Sequence, residues 1–450
     1  MMSRRSLTLR SFITSELNWP GHFLILIRPN NAPWCFTRCG TSATSQARGY
    51  KQLRNNPLPR RTLAPPPSRT QTLGITPRPQ VPPTKMSAGQ KRASSSGPEG
   101  GKKERKRLPV RPSSSILLLS PTNQVLLLHR VQTSTSFASA HVFPGGNLSS
   151  FHEGELPPLE SEEIHRDSEA YRLAAVRETF EESGILLARR QGGSELLSVS
   201  SEVMEAGRKE VHGNRVKFVD WLRSIGGTPD LDNLIPFTRW ITPIGVPKRF
   251  STQMYLYMLP LSAPAPGAPE QQTIIHTPTH DGGLEHTAAT FDDAKAWVSK
   301  AEGGQIVLFP PQLYLLNLVS EFTKSAPEEG SATAHYQAQR DALLKFLRKV
   351  PTSRFDAAPN AKVHPTAQIP WAEKVMSPTS LFLRRGDKRV VLGLDKPGPE
   401  LKGSGRGGDW DRVVLVEFKK EGPTRVEVRW RDEVLKEERE AVDEGQGAKL

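Results

Sequence analysis

The sequence predicts an α/β domain followed by a strand-containing C-terminal extension. Three observations lead there. Apolar runs come in pairs about a turn, as in SSILLLSPTNQVLLLHR (114–130). Segments with helical periodicity alternate with them, most clearly EAYRLAAVRETFEESGILL (169–187). After residue 376 the chain returns to β-branched runs: SLFLRRGDKRVVLGL, RVVLVEFKK and TRVEVRWRDE. Hairpins and helices in alternation point to a sheet covered by helices.

Taken in order, residues 1–107 are rich in Pro, Ser, Thr and Arg without sustained periodicity, and are predicted to be disordered. The ordered part then divides into a main domain over 108–325 and an extension over 326–450. Residues 114–130 form a hairpin about a Pro/Thr/Asn turn. HVFPGG (141–146) ends an extended piece in two glycines, and the polar stretch 147–167 has the composition of a loop. In the helix that follows, Ser168 is placed to cap and Glu169 suits the first turn. Leu173, Val176 and Phe180 make its apolar stripe, and Gly184 ends it. SEVMEAGRKEVHGNRVKFVDWLRSIGG (201–227) reads as another helix, stopped by Gly226 and Gly227. Residues 238–260 are rich in aromatic and β-branched side chains and read as strands. APAPGAPEQQ (263–272) reads as a loop. Helices are expected from near Asp292, over 310–324 and over 335–350.

The formal net charge is +14, but it is confined to the first hundred residues. Residues 1–98 carry fifteen of the 61 Lys+Arg and one acidic residue, Glu16. The remainder is neutral, with 46 basic and 46 acidic residues. A neutral folded part argues against nucleic acid as a partner, because phosphate backbones are gripped by basic surfaces. Both cysteines, Cys35 and Cys39, lie in the basic segment, so a disulfide-stapled fold is not expected beyond it. No apolar run approaches the ~20 residues of a membrane helix. The Arg-rich, acid-poor start is read in one of two ways: a mitochondrial transit peptide, or a start placed upstream of Met86.

Glu178, Glu181 and Glu182 fall within five residues and project from one side of a 3.6-residue helix. Like charges so close repel, unless the face is solvated or faces a cation. Carboxylates in this arrangement suit a hard divalent ion, which is commonly shared with substrate phosphates. Arg177, two turns after Glu169, is expected to pair with it and to orient a carboxylate.

The full pattern is Gly-Gly, a loop, then E-x7-R-E-x2-E-E-x-G-I. It resembles the Nudix box, G-x5-E-x7-R-E-U-x-E-E-x-G-U, where U is aliphatic. The matching residues are Gly146, Glu169, Arg177, Glu178, Glu181, Glu182, Gly184 and Ile185. Thr179 stands where an aliphatic residue is usual, and 22 residues separate Gly146 from Glu169 instead of five. Closing the longer loop costs only about 1 kcal/mol, so the halves can still meet. The resemblance implies a Nudix fold, an α/β/α sandwich with a mixed sheet. It implies Glu178, Glu181, Glu182 and the carbonyl of Gly145 as ligands of Mg2+ or Mn2+, with Arg177 and Glu169 orienting them. A catalytic base lies in the box or in a later loop, for which Glu285 is the candidate.

LLLHRVQTSTSFASAHVFPGG is similar to a segment associated with coenzyme A diphosphatases. Leu126, Leu127, Arg130, Phe143, Pro144, Gly145 and Gly146 match, whereas Leu128, Val131, Thr135 and Ser139 do not. Arg130 is thereby a candidate phosphate contact, with Arg249 either a second one or a surface ion pair. More broadly, residues 110–325 resemble the motif 19 subfamily of Nudix hydrolases, peroxisomal enzymes of coenzyme A and acyl-coenzyme A. The C-terminal AKL is close to the S-K-L address read by the peroxisomal import receptor. The resemblance implies hydrolysis of (acyl-)coenzyme A to (acyl-)phosphopantetheine and adenosine 3′,5′-bisphosphate in the peroxisome, the mitochondrion being the alternative. Hydrolysis of a nucleotide sugar, NADH or ADP-ribose, and a non-catalytic ligand-binding module, are the competing expectations.

Overall fold

The computed structural model describes residues 109–131, 139–261, 286–324, 331–354, 363–420 and 422–447. Glu285, the cysteines, the basic N-terminal segment, the loop 263–272 and the C-terminal AKL lie outside these residues.

The central element is β1 (Arg111–Leu119), whose run ILLL is buried on both sides. Alternate residues of a strand point to opposite faces, so Leu117 and Leu119 enter one core and Ile116 and Leu118 the other. β1 turns into β2 (Val125–Arg130), antiparallel from Leu119↔Val125, which is the expected hairpin. β3 (His141–Val142) adds to β2, and β4 (Gly145–Asn147) lies antiparallel to β1.

The polar stretch after β4 is not all loop. It contains a helical turn, α1 (Ser150–Glu153), capped by the Ser149 hydroxyl, and a 3-10 turn at Glu162–His165. Next comes α2 (Glu169–Ser183). Ser168 is its N-cap by position, but its side chain makes no capping hydrogen bond. Gly184 closes α2 in the left-handed conformation, φ 72°, its N–H donating to the Phe180 carbonyl. Leu173, Val176 and Phe180 are buried as their spacing predicts, and Thr179 is buried with its hydroxyl donating to the Ala175 carbonyl.

β5 (Ala188–Arg190) precedes the stretch expected to be a single helix. The chain forms two there, α3 (Ser201–His212) and α4 (Phe218–Ser224). Gly213 and Asn214, the latter at φ 52°, break the helical path, and Gly227 opens β6 (Gly227–Pro229), which pairs with β5. β7 (Ile235–Ile241) and β8 (Phe250–Met258) form an antiparallel pair, and β8 runs parallel to β1. β9 (His286–Asp292) pairs with β2, so α5 (Ala294–Glu302) begins two residues after Asp292. α6 (Pro310–Ser320) and α7 (Ala332–Arg348) follow.

The extension contributes β10 (Val375–Met376), which runs parallel to β7 at the end of the main sheet. The order of that sheet is β10-β7-β8-β1-β2-β3, with β4 on β1 and β9 on β2. It is a mixed sheet between two layers. One core places Ile116, Leu126 and Tyr255 against Phe180 of α2, Met204 of α3 and Leu222 of α4. The other places Leu117, Leu127 and Leu256 against Trp297 of α5 and Leu315 of α6. A second sheet joins β11 (Thr379–Leu383), β12 (Val390–Leu394), β13 (Asp409–Lys419) and β14 (Gly422–Trp430) in that order, all antiparallel. Its Leu392, Val414 and Val416 share the core of α5 and α6, while Val413 and Leu415 pack with Val434 of α8 (Arg431–Gly447). Arg249 is in an ion pair, 2.6 Å from Glu400, but a buried one and not at the surface.

Candidate active site

Across the intervening loop, the glycines and the acidic helix meet in the fold. The Gly145 N–H donates to Glu182 Oε2 at 2.7 Å. Gly145 has φ 154°, and a Cβ there would lie 2.3 Å from the Ser114 carbonyl oxygen. A Cβ on Gly146 would lie 2.5 Å from Glu178 Oε1, so only glycine lets that carboxylate rest on the backbone of β4.

Glu178, Glu181, Glu182 and Arg177 line one wall of a cleft of about 230 Å³. His152 of α1, His212 of α3 and Asn214 of the α3–α4 turn line it as well. Arg177 is buried and lies among carboxylates. Its Nε is 2.8 Å from Glu153 Oε1, and its Nη1 is 2.9 Å from Glu178 Oε1 and 3.0 Å from Glu181 Oε1. Burial works against its charge, yet Glu178, Glu153 and Glu181 hold its pKa above the ordinary arginine value. Burial pushes Glu178 up to about 7 against the pull of Arg177, and burial also raises Glu153. His152 is lowered by burial and then by Arg177. Its Nδ1 accepts the Phe218 N–H at 3.2 Å, which ties α1 to the start of α4.

The expected partner of Arg177 was Glu169, and here the structure differs. Glu169 is exposed in the first turn of α2. Eight residues of helix separate it from Arg177 by roughly 12 Å of rise, too far for an ion pair. Glu153 takes that place, with a side chain fully out of solvent. The signal for it was present: Glu153 follows Gly146 at close to the family spacing, so the inserted residues fall after this glutamate instead of before it. His152, His212 and Asn214 come from stretches without a motif, and composition gives no mark of them.

Glu182 also has His286 Nε2 at 3.6 Å from its Oε1. Arg130 ends β2 in register with His286 and is not among the residues lining the cleft. The carboxylates on one wall of the cleft are hard oxygen donors and fit a divalent cation in kind. Among the described residues, however, no group of three acidic, His or Cys side chains is arranged to hold a metal ion. The Arg177 guanidinium holds Glu178 and Glu181 together by standing between them. No helix of the described residues is long and apolar enough to cross a membrane.

Residues 157–318 match the family model of the NUDT19 Nudix domain. A Caenorhabditis elegans relative named as a nudix hydrolase is 29% identical over 209 residues, covering 46% of this chain and 60% of its own length. The acyl-coenzyme A diphosphatase NUDT19 of Xenopus laevis is 26% identical over 242 residues, covering 44% of this chain and 60% of that protein. Its Homo sapiens counterpart is 24% identical over 242 residues, covering 44% and 61%. The chain thus spans about three fifths of the length of these relatives. A solved Nudix hydrolase from Alicyclobacillus acidocaldarius is 20% identical, with a TM-score of 0.36, covering 46% of this chain and 90% of that one.

Proposed function

On the premise that this chain carries a Nudix domain of the NUDT19 type, we propose that it is a metal-dependent hydrolase of a nucleoside diphosphate linked to a second group. Coenzyme A or acyl-coenzyme A is the proposed substrate, giving (acyl-)phosphopantetheine and adenosine 3′,5′-bisphosphate. The observation that carries the reading is the wall of three glutamates beside Arg177 in one cleft. Glu178, Glu181 and Glu182, with the Gly145 carbonyl, are the residues that would hold Mg2+ or Mn2+. When bound, such an ion activates water and offsets charge on a phosphoryl oxygen. Arg177, paired with Glu153, orients Glu178 and Glu181, and the Gly145 N–H orients Glu182. Glu285 is the proposed base, and Arg130 a proposed phosphate contact. The C-terminal AKL supports a peroxisomal location through the import receptor.

A second reading, a non-catalytic ligand-binding module, is favoured by the lack of a metal-holding group of acidic, His or Cys side chains among the described residues. One assay separates the two. Coenzyme A, acetyl-coenzyme A, NADH and ADP-ribose are incubated with the protein and Mg2+ or Mn2+, beside Glu182→Gln. The expected outcome is cleavage of the coenzyme A substrates, lost in the variant. Cleavage only of NADH or ADP-ribose, equally lost, discards the coenzyme A assignment. A folded protein that cleaves none of these substrates favours the binding module.

A further inference from the structure

α3 lies outside the glycine–glutamate motif, yet it grips one residue of that motif at both ends. At the C-terminus of α2 the Phe180 carbonyl is taken by the Gly184 N–H. The next carbonyl, that of Glu181, would take the Ile185 N–H in a continuing helix. The turn at Gly184 sends that N–H to the Ser183 hydroxyl instead, at 3.2 Å. The Glu181 carbonyl is thus one of the orphan acceptors of a helix end. Arg208 of α3 fills it with two donors, Nε at 3.2 Å and Nη2 at 2.9 Å. Arg208 is buried, and its Nη1 is held by Glu205 one turn earlier at 3.0 Å. A guanidinium at this end also suits the negative pole of α2.

His212 sits four residues after Arg208, on the same face of α3. Its Nδ1 is 3.2 Å from Oε2 of the Glu181 carboxylate, whose Oε1 is held by Arg177. Backbone and side chain of Glu181 are therefore fixed by one helix face, and the ring of His212 is half in solvent at the cleft.

We infer that α3 is a positioning element for Glu181, with Arg208 setting its backbone and His212 its carboxylate for divalent-cation binding. The inference rests on the proposed metal-binding reading of the cleft. Outer partners of metal ligands commonly change affinity about 10–100-fold when removed.

The test is titration of Mn2+ alone into the full chain, with free Mn2+ read by electron paramagnetic resonance and folding followed by circular dichroism. Arg208→Gln is expected to raise the Mn2+ Kd about tenfold. Arg208→Lys is expected to recover part of it, since an ammonium restores charge but not the paired donors. Should Arg208→Gln fail to fold, His212→Ala decides, because its half-exposed ring carries little of the core; weaker Mn2+ binding supports the inference. Glu181→Gln weakening Mn2+ binding while folded Arg208→Gln and His212→Ala leave it unchanged overturns the inference alone. Binding that is indifferent to Glu178→Gln, Glu181→Gln and Glu182→Gln overturns the metal reading, and this inference with it.

Discussion

Two helices of this protein gather glutamates beside arginines, and they do so in opposite surroundings. On α8 the run KEERE lies largely toward solvent. Glu437, 37% exposed, takes Arg429 at 2.7 Å and Arg384 at 2.5 Å. The hydrogen bond from Arg429 holds its carboxyl below the ordinary value, outweighing the opposing effect of burial. On α2 the run RETFEE is turned into the protein, where Arg177 is 4% and Glu153 0% exposed. There burial outweighs the arginine, and Glu178 is pushed up to about 7. The same residue types move in opposite directions because water screens and solvates one set and not the other.

Three measurements can break or sharpen that contrast. The largest effect is expected from Arg177→Ala, which leaves the buried Glu181 and Glu153 and the partly buried Glu178 without their shared cation. Breaking a buried pair in this way costs about 3–5 kcal/mol, read by urea unfolding. A loss below about 1 kcal/mol would put α2 in the class of exposed pairs.

The second is a pH profile of the metal-free protein. Glu178 has a folded pKa of about 7 against an ordinary 4.5, so the folded state holds the proton more tightly between those values. Its stabilising contribution is complete below about pH 4.5 and is lost as pH rises through about 7. Glu178→Gln should flatten the fall in Tm across that window, leaving the part due to Glu153, which is raised in the same sense. Parallel profiles for the two proteins would show that Glu178 is not the group responsible.

The smallest effect is expected from Arg429→Ala. It should cost no more than about 1 kcal/mol in unfolding experiments, and less at high salt, because its partners are solvated. A loss as large as that of Arg177→Ala would erase the distinction between the helices.

Much of this was determined by the sequence alone, wherever the cause is local. The period of three to four residues sets Glu178, Glu181 and Glu182 on one side of α2, and Gly184 ends the helix. The unbroken apolar runs of β1 and β2 mark strands covered on both faces, as the two cores confirm. The break between α3 and α4 was also local, at Gly213–Asn214, but it lies inside a helical pattern that concealed it.

The tertiary structure decided what depends on partners far along the chain. Arg177 takes Glu153, 24 residues away, instead of Glu169 on its own helix, because the single turn α1 brings that carboxylate into contact while eight residues of helix hold Glu169 off. Glu181 receives Arg208 and His212 only because α3 folds back across the end of α2. β10 joins the main sheet from more than a hundred residues beyond β7. Periodicity reports which way a side chain points along its own element. Which charge meets it there depends on loop closure and packing between elements, and that choice is made in three dimensions.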